Sequence, residues 1–221
     1  MNKFDSGYFL KHYQSVEDKN PPQKIKMYLS LIRDQVAENH KRPGLTRQDP
    51  VLLDIGCGYG RFLKSAQNQF ETFGIDPSAF AIAKAKKYAA HTKFEIATVS
   101  SYKPKKLFDV ITAFDILEHT NNLSGSLQKI KSWLKPGGLL VVVVPVYDGV
   151  FGTIGGWLDK DVTHVQKLSR WDWLKLFERN FKILQKLGII RYSLTDKIYL
   201  HFVFPWLFQW GQAILVKMKK I

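Results

Sequence analysis

A glycine-rich turn is the first segment of this sequence whose residue types and spacing could do chemistry. Residues 54–60 read Asp-Ile-Gly-Cys-Gly-Tyr-Gly, after an apolar run and before a helix-like stretch. Glycines lack a Cβ atom, so the backbone can turn sharply and approach a ligand, and a helix N-terminus offers unpaired N–H groups. Arg61 stands where a dinucleotide-binding turn needs its third glycine. The turn therefore predicts a site for a nucleotide-like ligand rather than a dinucleotide.

Two carboxylates accompany this turn. Asp54 precedes the first glycine by two positions, and Asp76 ends the next apolar run, at 73–75. A carboxylate at the end of the neighbouring strand can accept hydrogen bonds from both hydroxyls of a ribose. Asp54 and Asp76 together predict a ligand that combines a ribose with a cationic amino-acid end.

The elements that position these residues follow the pattern of a parallel sheet with crossover helices, because apolar runs alternate with helix-like segments. We expect strands near 51–55, 71–75, 92–96, 108–113, 139–144, 181–192 and 212–219. We expect helices near 60–69, 78–89, 122–134 and 169–179. The run 139–144 is unbroken and rich in valine, which is typical of a strand that is covered on both faces.

Composition predicts one domain in the cytoplasm. The chain has 221 residues, one cysteine (Cys57) and no apolar segment after its N-terminal Met, so neither a disulfide nor a secretory signal is expected. The net charge of +14 is compatible with nucleic acid, an anionic membrane or an anionic substrate, and does not choose among them. The basic residues are spread along the chain without an arginine-rich arm, which argues against nucleic acid as the partner.

Four blocks of the sequence resemble the class I S-adenosylmethionine-dependent methyltransferases, in that family's order. They read LDIGCGYG at 53–60, GIDPS at 74–78, FDVITAFDILEH at 108–119 and LKPGGLL at 134–140. The resemblance implies a Rossmann-like α/β fold: a mostly parallel seven-stranded sheet with an antiparallel last strand and helices on both faces. We expect residues 1–50 to form a helical extension that caps the site, and residues 51–221 to form the methyltransferase domain.

The same resemblance implies S-adenosyl-L-methionine as the cofactor. It places the cofactor's methionine part at the glycine turn, its amino group at Asp54, its ribose at Asp76 and its sulfonium beside Asp115. It places adenine at Thr98 and Val99, although many relatives carry an acidic residue there and this chain does not. The full set of expected cofactor contacts is Asp54, Gly56, Cys57, Gly58, Gly60, Asp76, Pro77, Thr98, Val99 and Asp115.

Methyl transfer is an in-line displacement, so the protein must chiefly align the acceptor with the methyl group. A base is needed only where the acceptor must lose a proton, and His119 and His164 are the candidates, with Asp115 beside the acceptor. No further His or Glu follows Glu118 and His119 at ligand spacing, so no metal site is expected.

Two sequence features that would indicate a nucleic-acid acceptor are absent. No Asn/Asp-Pro-Pro-aromatic run, which the family's amino-methylating nucleic-acid enzymes usually carry, follows the fourth strand, and no cysteine lies outside the glycine turn. Amino methylation of nucleic acids and cytosine-C5 methylation are therefore disfavoured, and an oxygen, nitrogen or carbon acceptor on a small or lipid-like molecule remains. A small or lipid-like acceptor, methylated on oxygen, is the favoured interpretation. RNA methylation and a non-catalytic S-adenosylmethionine-binding module stay open as alternatives.

The C-terminal third contains an aromatic insertion near 194–210. Its length would allow a membrane span, but the polar residues His201, Gln209 and Gln212 weaken that interpretation. We expect 197–210 to form a short helix or lid between two strands, which covers the acceptor pocket. Trp206 and Trp210 suit a membrane interface, and the lysines of the C-terminus suit its anionic lipids. Oligomeric state does not follow from the sequence.

Overall fold

The computed structural model describes residue 7 and residues 22–40, 49–158, 161–193 and 199–221. Most of the predicted N-terminal extension before residue 22, and the start of the predicted insertion at 194–198, lie outside the described residues. No helix among the described residues is long and apolar enough to cross a bilayer.

Eight strands and six α-helices make up the described chain. The strands are β1 (Val51–Ile55), β2 (Glu71–Asp76), β3 (Lys93–Ile96), β4 (Phe108–Phe114), β5 (Leu134–Pro145), β6 (Phe181–Ser193), β7 (Tyr199–Phe204) and β8 (Ala213–Lys220). The helices are α1 (Pro22–His40), α2 (Arg61–Ala66), α3 (Ala79–Tyr88), α4 (Leu123–Trp133), α5 (Gly149–Leu158) and α6 (Arg170–Glu178). Two short 3₁₀ helices span Leu117–His119 and Pro205–Gln209.

The strands form one sheet in the order β3-β2-β1-β4-β5-β8-β6-β7. Strands β1 to β5 pair in parallel, whereas β8 lies antiparallel between β5 and β6, and β7 lies antiparallel to β6. The α/β fold, the mostly parallel sheet and the antiparallel last strand are therefore confirmed. The sheet has one strand more than expected, because β7 adds an outer strand beside β6.

Alternating side chains of the central strands bury themselves on opposite faces of the sheet, as the period of a strand requires. In β5, Leu140, Val142 and Val144 join a core beneath α4 and α6. Leu139, Val141 and Val143 join a second core beneath α1 and α2. All six side chains are at most 1% exposed, so the expectation of a strand covered on both faces is confirmed.

Two segments differ from the expected secondary structure. Residues 199–204, expected in a short helix, form strand β7 and pair with β6, and only 205–209 are helical, as a 3₁₀ turn. Helix α5 was not expected at all. Its four glycines, Gly149, Gly152, Gly155 and Gly156, weaken the helical signal in the sequence.

Candidate functional site

The glycine turn follows β1 and bends at two glycines for different reasons. Gly56 has a φ of 70°, and a Cβ atom there would lie 2.0 Å from the side chain of Ile116. Gly58 has a φ of 51°, and a Cβ atom there would meet nothing within 4 Å. Gly56 is therefore required for packing, while Gly58 opens its backbone towards free space, as the binding turn predicted from the sequence must.

Asp76 closes the turn from the neighbouring strand. Its Oδ2 accepts a hydrogen bond from the N–H of Gly58 at 3.0 Å, and its Oδ1 accepts one from the N–H of Ser78 at 2.9 Å. Burial raises the pKa of Asp76, and these two hydrogen bonds oppose the rise. The carboxylate is thus fixed at the end of β2 with acceptor capacity remaining on both oxygens, since each carboxylate oxygen offers two lone pairs.

A cavity of about 360 Å³ lies at the carboxyl ends of β1, β2 and β4. Its size is that of a small-molecule site, and its position is where open α/β sheets bind ligands. The predicted residues that line it are Gly56, Gly58, Asp76, Pro77, Thr98, Val99, Asp115 and His119. Unpredicted lining residues are Ile55, Ala97, Ser100, Ile116, Thr120, Asn121, Asn122 and Ser126.

Four predicted site residues lie outside this lining. Gly60 is the N-cap of α2 and packs against Phe94, and Cys57 is buried in the core beneath α1. Asp54 is 4% exposed and accepts a hydrogen bond from the Thr112 hydroxyl at 2.7 Å. Asp54 is therefore bonded to β4 and lies outside the cavity lining. His164 lies next to His119 rather than in the cavity wall.

Asp54 is held in an environment that favours its neutral form. Burial and the nearby charge of Asp76 raise the pKa of Asp54 to about 7, against the hydrogen bond from Thr112. A cation bound near the turn would favour the ionised form. The carboxyl group is therefore suited to respond to an ammonium group.

Asp115, just after β4, links the cavity to a second polar cluster. It has a φ of 56°, a left-handed conformation that is uncommon for a residue with a side chain. Arg191 of β6 donates to both carboxylate oxygens, at 2.6 and 2.8 Å. Burial alone would raise the pKa of Asp115, but the charge and hydrogen bonds of Arg191 outweigh it and lower the pKa. Asp115 is therefore an anion clamped by an arginine.

Helix α1 brings two further groups to this cluster. The ring centroid of Tyr28 lies 4.8 Å from that of Phe114. The hydroxyl oxygen of Tyr28 lies 3.2 Å from Nε2 of His201. Burial and the positive charge of Arg191 lower the pKa of Lys24 to about 8, while Asp115 opposes the shift. Sequence reasoning missed Lys24, Tyr28, Arg191 and His201, because they come from three elements that only the sheet order brings to Asp115.

The 3₁₀ helix after β4 carries the predicted catalytic histidine. The carbonyl oxygen of Thr163 accepts a hydrogen bond from Nδ1 of His119 at 3.1 Å, and the rings of His119 and His164 lie 4.8 Å apart. Burial and the neighbouring His164 lower the pKa of His119, against the Thr163 contact. The structure thus places both predicted histidines together, with one of them at the cavity.

Family comparison matches residues 26–186 to a family model described as a methyltransferase domain. The matched range includes most of α1, the glycine turn, Asp76, Asp115 and both histidines. The mostly parallel sheet with a ligand-sized cavity at its carboxyl ends defines a ligand-binding α/β protein. The family match is more specific. The chain belongs to the methyltransferase domain family.

Curated relatives align with the central part of the chain. A ubiquinone biosynthesis O-methyltransferase from Rhodopseudomonas palustris (strain BisB18) is 31% identical over 122 residues, which is 52% of this chain and 48% of that protein. One of the same name from Bradyrhizobium sp. (strain ORS 278) is 35% identical over 96 residues, 41% of this chain and 38% of that protein. The chain spans about half the length or less of these relatives.

Solved structures share the fold over nearly the whole chain. A possible histamine N-methyltransferase from Thermotoga maritima superposes with a TM-score of 0.64 at 16% identity, over 97% of this chain and 99% of the other. At this identity the likeness concerns the fold, and it confirms the Rossmann-like methyltransferase architecture.

Proposed function

We propose that this protein is an S-adenosylmethionine-dependent methyltransferase that methylates an oxygen atom of a small or lipid-like acceptor. The observation that carries the proposal is the cavity in which the open backbone of Gly58 faces the buried carboxylate of Asp76. Membership of the methyltransferase domain family and the names of the curated relatives support it.

The residues present fit this cofactor. Gly58 leaves room that a side chain would fill, and Asp76 can accept hydrogen bonds from two ribose hydroxyls. Asp54 would supply negative charge for the amino group, and Thr98 and Val99, which line the same cavity, would contact adenine. When bound, S-adenosylmethionine supplies a methyl group activated by a sulfonium.

The protein's own contribution to the reaction is alignment and proton removal. The cavity reaches Asp115 and His119, so an acceptor at this end would face the methyl group. Because the lowered pKa of His119 keeps its ring neutral, the ring can take a proton from an acceptor hydroxyl. His164 stands behind it, and the Tyr147 hydroxyl lies 3.0 Å from its Nδ1.

We further propose that the enzyme works in the cytoplasm and rests on an anionic membrane where it meets a lipid-like acceptor. Helix α5 presents Val150, Ile154 and Trp157 to solvent at 55%, 47% and 87% exposure, a stripe at helical spacing. The neighbouring Trp206 and Trp210 are 69% and 53% exposed. Exposed tryptophans and aliphatic side chains on adjoining elements are typical of a membrane-interface surface.

These two elements are neighbours in space. A Cβ atom on Gly149 would lie 3.2 Å from the carbonyl oxygen of Gln209, and one on Gly155 would lie 3.7 Å from the side chain of Gln212. The lysines of the C-terminus, in contrast, lie at the other end of β8, where Lys219 pairs with Leu139. We therefore assign the membrane surface to α5 and 202–210, and not to the C-terminal lysines.

Calorimetry with the demethylated product, S-adenosylhomocysteine, tests the cofactor site. We expect the wild-type protein to bind it, and Asp76→Ala to bind at least about tenfold more weakly, because a buried pair of hydrogen bonds is lost. Gly58→Trp should abolish binding by filling the cavity. Asp34→Ala, an exposed change on α1, is the matched control and should bind normally. Wild-type affinity in both site variants would refute the proposal.

The acceptor is sought with S-adenosylmethionine that carries a labelled methyl group. The enzyme is incubated with a cell extract that contains lipids, and the products are searched for any compound that gains the label. We expect the label in an organic-soluble small molecule. Label in RNA would favour the RNA alternative, and cofactor binding without any turnover would favour the non-catalytic module.

A further inference from the structure

Glu118 is a buried carboxylate without a hydrogen-bond partner among the described residues. The residue is in the 3₁₀ helix Leu117–His119 and is 1% exposed, and neither of its carboxyl oxygens bonds to another described residue. Burial and the nearby charge of Asp115 raise the pKa of Glu118 well above its ordinary value, which shows how poorly this position accommodates the ionised form without a cation. An unpaired carboxylate in a protein interior is costly, and such groups are usually paired or bound to a metal. A cation or a hydrogen-bond donor beside Glu118 would therefore stabilise its ionised side chain.

Two imidazoles supply the rest of a ligand set around this carboxylate. One potential ligand atom each from Glu118, His119 and His164 lies within 4.8 Å of the others. Ligand atoms bound to one cation at about 2.1 Å lie roughly 3–3.5 Å from one another. Side-chain adjustments of about an ångström would therefore bring all three onto a common cation.

The surrounding contacts are those of a metal-ligating histidine. A histidine ligand usually donates its second ring N–H to a carbonyl or carboxylate, which fixes the ring and leaves the other nitrogen basic. Nδ1 of His119 contacts the Thr163 carbonyl at 3.1 Å, so its Nε2 is the basic nitrogen. Asp161 adds an outer carboxylate, with Oδ2 at 3.9 Å from Nε2 of His164.

Backbone hydrogen bonds hold together the two segments that carry these side chains, which are far apart in the sequence. The backbone carbonyl of Glu118 accepts hydrogen bonds from the N–H groups of Val165 at 3.0 Å and Gln166 at 2.9 Å. The side chain of Gln166 in turn donates to the carbonyl of Thr120 at 2.9 Å. These bonds fasten the segment that carries His164 onto the 3₁₀ helix that carries Glu118 and His119.

From these contacts we propose that Glu118, His119 and His164 form a binding site for one divalent transition-metal cation at the acceptor end of the cavity. Two imidazole nitrogens and one carboxylate oxygen are the donors that Zn²⁺, Mn²⁺ and Fe²⁺ accept, and three protein ligands leave positions for water or substrate. The sequence predicted no metal because His164 is remote from the Glu-His pair along the chain.

The site lies next to the cofactor cavity, because His119 belongs to both. A cation there would attract an acceptor oxygen and lower the pKa of its hydroxyl group. This role rests on the proposed methyltransferase function, whereas metal binding itself does not. The two histidines would then act as ligands rather than as proton acceptors.

Titration of the full, chelator-stripped protein with Zn²⁺ in a calorimeter tests the site, with Co²⁺ as a spectroscopic substitute. We expect one Zn²⁺ per chain and a visible Co²⁺ absorption band of a low-coordinate nitrogen and oxygen site. Glu118→Gln and His164→Ala should each weaken Zn²⁺ binding at least about tenfold and diminish the Co²⁺ band. His91→Ala, which removes an exposed histidine of the turn after α3, should change neither measurement.

Two control measurements distinguish loss of the metal site from misfolding and from loss of cofactor binding. Circular dichroism and S-adenosylhomocysteine affinity report whether each variant is folded, and His164→Ala remains informative if Glu118→Gln is unstable. Zn²⁺ binding that is absent, or that Glu118→Gln and His164→Ala leave unchanged, would mean an adventitious ion only and would overturn the proposal. Loss of S-adenosylhomocysteine binding with intact Zn²⁺ binding would instead sink the proposed function and leave the metal site standing.

Discussion

At the scale of single residues, two carboxylates at the cavity are held by hydrogen bonds, Asp76 by the backbone N–H of Gly58 and Asp115 by Arg191. Asp76 was predictable because a carboxylate at the end of a strand beside a glycine turn has one common use. The pairing of Asp115 with Arg191 was not, because a β6 side chain reaches β4 only through the strand order β4-β5-β8-β6. Local motifs thus predicted the cavity residues Asp76, Asp115 and His119, but not Arg191, which pairs with Asp115.

Asp54 makes the stability of the ligand-free protein depend on pH. Its pKa is raised from 3.8 to about 7 by burial. The folded state therefore holds a proton that the unfolded state releases, and this stabilisation is full below 3.8 and is lost as pH rises through about 7. In Asp54→Asn we expect the free energy of unfolding to fall less steeply across this interval, by up to about 1.4 kcal/mol per pH unit.

Urea unfolding of the ligand-free protein at several pH values measures this difference. Asp34→Asn removes an exposed carboxylate from α1 and should keep the wild-type pH dependence. Parallel pH profiles for wild type and Asp54→Asn would show that Asp54 does not take up a proton in this range.

At the scale of elements, the sequence predicted strands well where apolar runs were bounded by turn residues. It failed at α5, where four glycines in ten residues lower helical propensity. The structure explains their presence: a Cβ atom on Gly152 would lie 2.7 Å from the carbonyl oxygen of Val146, and one on Gly156 would lie 2.7 Å from the ring of Tyr147. Close packing therefore outweighs local propensity.

Strand β7 was missed although its period was visible. Phe202 and Phe204, two positions apart, are exposed, and Val203 between them packs on the core beneath α1. This alternation is the signature of a strand with one wet face. Its concentration of aromatic side chains favoured the interpretation of a lid, and whether the segment covers an acceptor stays a prediction.

Arg170, the first residue of α6, is hydrogen-bonded to the residue before α5 and to the segment 208–211. It is 1% exposed, its Nε donates to Asp148 at 3.0 Å, and it also donates to the carbonyl oxygens of Phe208 and Gly211. Arg170→Ala leaves these acceptors unpaired, and we expect a loss of about 3 kcal/mol in stability. Limited proteolysis should then cut more readily near 205–211.

Arg179→Ala, which removes an exposed arginine just after α6, is the matched control and should lie within about 0.5 kcal/mol of wild type. Chemical denaturation provides the stabilities. A fall in stability for Arg170→Ala equal to that of the control would show that its hydrogen bonds contribute nothing net.

At the scale of the whole molecule, the sheet separates two chemically different ends. The carboxyl ends of the parallel strands carry the cavity, the histidines and the exposed tryptophans, while Lys219 and Lys220 lie at the opposite end. These C-terminal lysines are therefore separated from the exposed tryptophans. The proposed membrane surface, α5 and 202–210, lies at the same end of the sheet as the cavity.

Liposome co-sedimentation tests this orientation. We expect the wild-type protein to bind vesicles that contain phosphatidylglycerol, and a variant with Trp157→Ser, Trp206→Ala and Trp210→Ala to bind them at least about tenfold more weakly, since large apolar surfaces no longer enter the interface. S-adenosylhomocysteine affinity should not change. Tyr88→Ala, an exposed aromatic on α3 at the other edge of the sheet, should bind vesicles as wild type does. Equal vesicle binding by all three proteins would remove the membrane surface.

The place of β8 has a consequence for how the chain is made. It follows every other strand in chain order, yet it lies between β5 and β6 and pairs with both along its length. Until the ribosome has released residues 213–220, the valine-rich edge of β5 is without its neighbour, and open strand edges of this kind recruit other chains. A nascent chain that lacks residues 213–220 would therefore expose an unpaired edge of β5, and we expect it to aggregate more readily than the chain with β8 in place.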